Sequence, residues 1–430
     1  NNNYPAISYG GYRKSSRDFQ PSVEEIKEDL KILSAIGYRI LRTYNVHFAH
    51  ASNLLKAINE LKIEDKNFKM YVMLGIWIDC KDAWTSNPDH GQEDIQKNTL
   101  EVNEAVRLAN KYPEIVKILA VGNEAMVHWA SSYFVEPKII LKWVKFLQEL
   151  KSENKLNKDI WITSSDNFAS WGGGDKSYHK KELNELINVV DYISVHTYPF
   201  HDTYYNPSFW TGVMVNEKTS NDNRIKNAML RSSNYAIKQF ESVKNYIKSI
   251  GITKPVHIGE TGWASISSDY YGQNGTRAAD EYKQYLYFNN MMEYGKKNNI
   301  SIFYFSAFDE PWKDYNNPNG SENHFGLFTV GDTLKAAKIA GDLTQTNANV
   351  ISSVEETSRY KFLSKKDLFD VEYWSLEQAK IKKAKKILQG NVVVITGGFG
   401  AIGTATFKLF KSYGAEIVLL DYDAKKVIRV

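Results

Sequence analysis

The sequence predicts an α/β fold, a (β/α)8 TIM barrel followed by a small, incomplete Rossmann-like βαβ segment. Three observations carry that expectation. Short β-branched or aromatic runs alternate with longer amphipathic stretches through roughly the first 340 residues. Eight strand candidates occur, the count that closes a parallel barrel. The fourth, seventh and eighth run out into acidic residues: Gly122-Asn123-Glu124, Gly259-Glu260 and Phe308-Asp309-Glu310. A doubly wound open sheet would alternate in the same way. In a barrel, however, the C-terminal strand ends converge on one mouth, where polar residues gather.

In order, the expected strands are residues 6–9, 39–44, 69–76, 115–121, 160–164, 190–196, 255–259 and 302–307, each a short run rich in β-branched or aromatic side chains. Between them the periodicity predicts helices over 23–36, 51–61, 98–111, 137–149, 232–250 and 278–297, with apolar positions at three- and four-residue steps. A helix at 333–343 would complete the eighth unit. The character of the chain then changes. Residues 345–356 are polar and small, as in a linker, 375–388 form a basic helix candidate, and 391–396 are a new apolar strand. The expected organisation is a barrel over 1–345, a linker with a basic helix over 346–390, and a truncated dinucleotide-fold unit over 391–430.

Composition narrows the function. The 430 residues are 24% charged, with a mean hydropathy of −0.45 and no apolar run long enough to span a bilayer, which sets aside membrane-spanning and disordered chains. One cysteine, Cys80, allows neither an intrachain disulfide framework nor a cysteine-based zinc site. The formal charge of +4 is uneven, since residues 346–430 hold 14 Lys/Arg against 9 Asp/Glu. The remainder is near neutral, which suits an uncharged substrate and argues against nucleic acid. Asn1–Asn3 are polar and no charged, apolar leader follows, so a signal peptide is either absent or already removed from this numbering.

Alternation places Ile118, Ala120, Gly122 and Glu124 on one face of the fourth strand, and Val256, Ile258 and Glu260 on one face of the seventh, with His257 turned outward to the helices. A carboxyl behind apolar neighbours holds its proton nearer neutral pH, as a general acid requires. Two carboxylates on opposite sides of one mouth are the minimal apparatus for breaking a glycosidic bond. Each glutamate could instead cap the following helix or pair with Arg42 or Lys313. Recurrence of the pattern at two Gly-containing strand ends favours the catalytic role.

Four motifs then stand in order: Val121-Gly122-Asn123-Glu124, Ile258-Gly259-Glu260-Thr261-Gly262-Trp263, Phe308-Asp309-Glu310-Pro311-Trp312-Lys313, and Glu322-Asn323-His324-Phe325-Gly326-Leu327-Phe328. Together they resemble glycoside hydrolase family 17, the β-1,3-glucanase family, and particularly its bacterial laminarin-degrading members, over roughly residues 5–343. Ala264 departs from that pattern, where Pro usually follows Trp, and alters a loop start rather than a carboxylate. The resemblance implies a (β/α)8 barrel with Glu124 as acid/base and Glu260 as nucleophile. It implies that Asn123 hydrogen-bonds the sugar 2-hydroxyl, that Tyr44 and Tyr198 border the nucleophile and the bound sugar, and that Glu310, Lys313 and Glu322 form a charged cluster downstream. Lys313 could hold Glu260 ionised or orient Glu310, or the cluster could be a structural salt-bridge group.

Aromatic residues are 13% of the chain. Near the expected mouth stand Trp77, Trp84, Trp129, Trp171, Tyr198, Phe200, Trp210, Trp263 and Trp312. Sugar rings pack their C–H faces on indoles, so about half of these are expected to touch glucan, with Trp263 and Trp312 favoured by their motifs. His196 reads as support for the site rather than a metal ligand, and no metal-ligand spacing occurs. In the tail, a strand at 392–396 meets Gly397, Gly400 and Gly403, then a helix from Thr404 and a strand at 416–420 ending in Asp421. This resembles the opening βαβ unit of short-chain dehydrogenases. Residues 370–380 resemble, more weakly, the linker of aldolase–dehydrogenase fusions. Later strands and a Tyr-x-x-x-Lys pair are missing, so a remnant without NAD binding is expected. The expected function is a retaining endo-β-1,3-glucanase acting on laminarin-like glucan, secreted or periplasmic or on the cell surface, and without cofactor. A β-1,3-glucanosyltransferase and a non-catalytic glucan-binding protein are the alternatives.

Overall fold

The computed structural model describes residues 5–210, 221–329, 391–396, 406, 410–411, 415–420 and 428–429. The chain divides into two units, Asn1–Leu363 and Ser364–Val430.

In the first unit eight parallel strands close a barrel: β1 (Ala6–Ser8), β2 (Ile40–Arg42), β3 (Tyr71–Ile76), β6 (Val116–Asn123), β7 (Trp161–Asn167), β8 (Ile193–His196), β9 (Val256–Thr261) and β10 (Ile302–Tyr304). Each pairs with its sequential barrel neighbour, and β10 returns to β1 with Ala6 beside Phe303. A short antiparallel hairpin, β4 (Cys80–Lys81) and β5 (Asp89–Glu93), interrupts the β3–β6 connection. The barrel floor is plugged by Ala6, Met73, Ala120 and Phe303, with Ile40 and Ile118 packed against them. Inward positions of adjacent parallel strands thus stack in a layer, as in a filled barrel rather than a pore.

Helices cover the outside: α1 (Val23–Ala35), α2 (Ala49–Glu64), α3 (Ile95–Lys111), α4 (Pro137–Ser152), α5 (Lys181–Val189), α6 (Pro199–Tyr205), α7 (Asn221–Ser249) and α8 (Glu281–Asn298). Local chemistry explains their bounds. Ser22 and Glu25 form a reciprocal capping box on α1, whose Ile26, Leu30 and Leu33 are buried at four- and three-residue steps. Pro137 opens α4, where its missing N–H costs nothing. Asp280 caps α8 through the Lys283 N–H, and Asn299 closes it in the left-handed region.

Two expectations change here. The last barrel strand ends at Tyr304 rather than residue 307, although Phe305 N–H still donates to Thr261 O and Ala307 N–H to Ser8 O. His257, expected to face the helices, points into the barrel. It is level with Ser194 on β8, and its ring packs edge-on against Tyr192, whose hydroxyl reaches Met73 in the floor layer. Ile258 is the outward residue, level with Ile302. Strict alternation back from Glu260 would turn His257 outward, and the register shift between Ile258 and Glu260 inverts it.

In the second unit β11 (Val392–Thr396) and β12 (Glu416–Leu420) pair in parallel, as expected, over Ile395, Ala415 and Ile417. A third strand not foreseen, β13 (Ile428–Arg429), joins antiparallel. The expected helices at 333–343 and 375–388, the linker at 345–356, the glycine turn and Asp421 lie outside the described residues.

Candidate active site

The mouth of the barrel is built by two departures from regular strand geometry. On β6, Ile118 and Ala120 face inward, and Gly122 then takes φ +80° while the pairing with β7 shifts between Ala120 and Asn123. A side chain at Gly122 would point at Ala125 and at Ile140 of α4. Asn123 therefore turns inward, and Glu124, itself at φ +45°, joins it. On β9 the shift falls between Ile258 and Glu260, so Glu260 points inward from a strand whose regular alternation would have aimed it at the helices. Gly259 permits this, because a Cβ there would run into the Ser194 and Ser165 hydroxyls.

Both carboxylates meet at one imidazole. His196 Nδ1 lies 3.1 Å from Glu124 Oε1 and 3.3 Å from Glu260 Oε2. The nearest carboxylate oxygens are thus separated by no more than the sum of those distances. To donate to either carboxylate, Nδ1 must carry a proton, and Nε2 then faces the Ser165 hydroxyl at 2.7 Å. Ser165 is held in turn by Ser194, 2.8 Å away.

Arg42, fully buried on β2, clamps the other side. Its Nη1 donates to Glu260 Oε2 at 2.6 Å and to Gly259 O at 2.9 Å, and Nη2 donates to Asn123 Oδ1 at 2.5 Å. That last bond fixes the Asn123 amide with its oxygen toward Arg42, leaving its NH2 as a donor in the cavity. The Tyr198 hydroxyl donates to Glu260 Oε1 at 2.6 Å, and its buried phenol is pushed well above the ordinary tyrosine range. Tyr44 lies beneath the Arg42 guanidinium, 4.8 Å from ring centre to Cζ. Burial alone would raise the Glu260 carboxyl. His196, Arg42, the Tyr198 hydroxyl and Lys313 outweigh it and hold the group at about 2, ionised at any working pH.

Lys313 sits over the Phe305 ring at 4.2 Å and 3.9 Å from Glu322 Oε2. Glu322 also lies 3.7 Å from His201 Nε2, at the rim. Glu310 is buried, and burial raises its carboxyl against the opposing charge of Lys313. The Trp312 indole N–H is 3.4 Å from Glu310 Oε1.

Two cavities share Glu124, Glu260 and Lys313. The larger, about 1250 Å³, adds Tyr44, Asn123, Glu310, Trp312, Trp77 and Trp84. The smaller, about 900 Å³, adds Tyr198, Glu322, Trp129 and Tyr205. Of the ten residues expected from sequence, nine therefore line the cleft and Trp263 does not. Trp263 is fully buried, donates its N–H to Ala278 O and packs on Phe200, Trp210 and Tyr287, so no ligand can stack on it. Thr261 already faces outward to Tyr287 of α8, and Trp263 follows it behind the strand end. Trp171, Phe200 and Trp210 are core for the same reason.

His196, expected as support for the site, stands between the two carboxylates, whereas Arg42, offered by the sequence only as an ion-pair partner for a glutamate, was not among the expected substrate-binding residues. The available signal for Arg42 was an arginine two positions before Tyr44 on an apolar strand, because a buried guanidinium needs a carboxylate partner. Asp166 on β7 is also new. It is buried, accepts the Met126 and Asn167 N–H groups, and is pushed up to about 7 by burial.

Residues 6–326 match the family described as BtgE/BtgC glycoside hydrolase domain, and residues 320–381 match the second domain of class II aldolases. An endo-laminarinase from Formosa Hel1_33_131 is 55% identical, with a TM-score of 0.78, over 86% of this chain and 94% of its own. A probable glucan endo-1,3-beta-glucosidase btgC of Aspergillus terreus is 23% identical over 77% of this chain, and the chain spans only 44% of that relative. The glycoside hydrolase family 17 β-1,3-glucanosyltransferase of Rhizomucor miehei, 22% identical over 77% of this chain and 96% of its own, shares the fold at a TM-score of 0.53. With three quarters of its length matched and a barrel whose mouth holds two facing carboxylates, the chain belongs to the BtgE/BtgC glycoside hydrolase domain family.

Proposed function

We propose that this chain is a retaining endo-β-1,3-glucanase acting on laminarin-like glucan, of the family 17 type. Glu124 protonates the departing glycosidic oxygen while Glu260 attacks the anomeric carbon. Glu124 then takes a proton from water, which releases the sugar from Glu260. The observation that carries the reading is the shared contact with His196 Nδ1, at 3.1 Å and 3.3 Å. It bounds the nearest oxygens of the two carboxylates at 6.4 Å, the sum of those distances, which is compatible with the roughly 5–5.5 Å of retaining pairs. The ionised state of Glu260 suits a nucleophile, and the Asn123 NH2 is placed to serve the sugar 2-hydroxyl. A cleft extending to both sides of the carboxylates supports attack within a chain.

The names of the Formosa and Aspergillus relatives support β-1,3-glucan as substrate, and that chemistry supports a secreted, periplasmic or cell-surface location, where polysaccharide is met. No helix among the described residues is long and apolar enough to cross a membrane. Residues 346–430 take no part in this chemistry, since every cleft residue named above precedes them. A glucanosyltransferase would use the same carboxylates, and the aromatic lining of the smaller cavity, Trp129, Tyr205 and Tyr235, would suit an acceptor sugar. Product analysis on reduced laminari-oligosaccharides separates the readings. Shortened ladders are expected, products longer than the substrate would mean transfer, and unchanged substrate would leave only glucan binding.

A further inference from the structure

In the wall of the larger cavity, which Tyr198 does not line, three aromatic rings are held in a way that packing alone does not require. Trp84 is 59% exposed, yet it stacks on Tyr133 at 4.9 Å and 21° and lies near-parallel to Trp77 at 6.4 Å and 25°. One face of the indole rests on Tyr133, and its exposure leaves the other open to the cavity that also holds Glu124 and Glu260. Both indole N–H groups donate to a single oxygen, Asp79 Oδ1, at 2.8 Å from Trp77 and 3.2 Å from Trp84.

That acceptor is itself locked. Asp79 is 7% exposed, its N–H donates to Asn98 Oδ1, and its carbonyl accepts from Asn98 Nδ2, both at 3.0 Å. The hairpin carrying Trp84 is tied to the neighbouring loop by Trp84 N–H to Ser132 O at 2.8 Å and Cys80 N–H to Tyr133 O at 3.3 Å. Asp82 and Trp84 both hold φ in the left-handed region, +57° and +65°. A bulky side chain takes that conformation only where its surroundings impose it, and such strain gathers at ligand sites. An immobilised, solvent-open indole face in continuity with the two carboxylates is suited to the C–H face of a pyranose.

We propose that Trp84, backed by Tyr133 and Trp77 and tethered by Asp79, is a subsite for a glucosyl residue remote from the cleaved bond, so that it sets how strongly longer chains are preferred. This rests on the glucanase reading, because the ligand is a unit of the same β-1,3-glucan. A remote subsite contributes only when the chain is long enough to reach it. Its signature is therefore a penalty that grows with substrate length.

The test is made on the full chain. kcat/KM is measured for Trp84→Ala over laminari-oligosaccharides from the shortest cleaved to laminariheptaose. Affinities are measured for the same ligands in a Glu260→Gln background. The expected penalty is near unity on the shortest substrate and about tenfold on the longest, the size of one aromatic stacking contact. Trp84→Phe, which keeps an aromatic face, is expected to return affinity to within about threefold. An equal penalty at every length, no penalty on the longest, or Trp84→Phe behaving as Trp84→Ala would overturn the platform while the unmodified chain still cleaves glucan. Absence of both cleavage and binding by the unmodified chain would overturn the glucanase reading and the platform with it.

Discussion

Glu260 is kept ionised by its neighbours against the effect of burial, and this makes its chemistry testable one side chain at a time. Glu260→Ala should lower turnover by about four orders of magnitude or more while glucan affinity largely persists. Azide should rescue it, giving a glycosyl azide of inverted anomeric configuration. A variant with near-normal turnover would remove Glu260 from the mechanism. Because the folded-state value of Glu260, about 2, is below the ordinary glutamate value, its contribution to stability is present above about pH 4. It is lost as pH falls toward 2. Arg42→Ala removes a buried partner at a cost of about 3–5 kcal/mol and raises the Glu260 carboxyl. The acid limb of the kcat/KM–pH profile should therefore move to higher pH as the melting temperature falls, and an unmoved limb would contradict the assignment. Asp166 is the opposite case. Its folded-state value, about 7, exceeds the ordinary aspartate value, so its contribution is present below about pH 4 and is lost as pH rises toward 7. Asp166→Asn should reduce the drop in melting temperature between pH 5 and pH 8, read by calorimetry.

At the scale of elements, the site depends on two strands that stop being regular where the chemistry begins. Asn123 and Glu124 are adjacent in sequence, yet both reach the cavity because Gly122 absorbs the change of face. Gly259 and Glu260 both turn inward, and only a glycine leaves room for the Ser194–Ser165–His196 hydroxyl and imidazole chain beside it. Gly259→Ala should cost about 1–3 kcal/mol through overpacking and lower kcat more than it raises KM, because the displaced groups support the carboxylates rather than the bulk of the glucan. Circular dichroism melting and steady-state kinetics on the same preparation check both parts. An unchanged kcat would mean that the close approach is relieved without disturbing Glu260.

At the scale of the molecule, every residue of the cleft named above lies between Tyr44 and Glu322 apart from Arg42 just before it, all within the first unit. Deleting residues 346–430, which removes the second unit together with the last residues of the first, should leave laminarin hydrolysis within about twofold of the full chain, because every cleft residue named above precedes them. A shortened chain that folds but loses most of its activity would show that the tail takes part in the site. Titration of the full chain with NAD accompanies this measurement, with no saturable binding expected, and saturable micromolar binding would overturn the expectation that 391–430 bind no dinucleotide.

The amino-acid sequence by itself made the eight-strand barrel legible and put Glu124 and Glu260 at strand ends, but it did not show the β4–β5 hairpin or α5 and α6. Period-2 and period-3.6 patterns are local, and strand-end motifs such as Gly259-Glu260 are contiguous, so both are legible without a structure. Only the tertiary structure decided which way those side chains point. Alternation counted along β9 put Ile258 on the face of Glu260 and turned His257 outward, and a single register shift reversed both. It also buried Trp263, which sits three residues from Glu260 but behind the strand end. Arg42 and His196 became site residues only when β2 and β8 were brought around the barrel to Glu260, from 218 and 64 residues away along the chain. The physical reason is common to all of these. Side-chain direction follows strand periodicity only while pairing is regular, and partners of a buried charge are fixed by closure of the sheet, a long-range constraint that no local window contains.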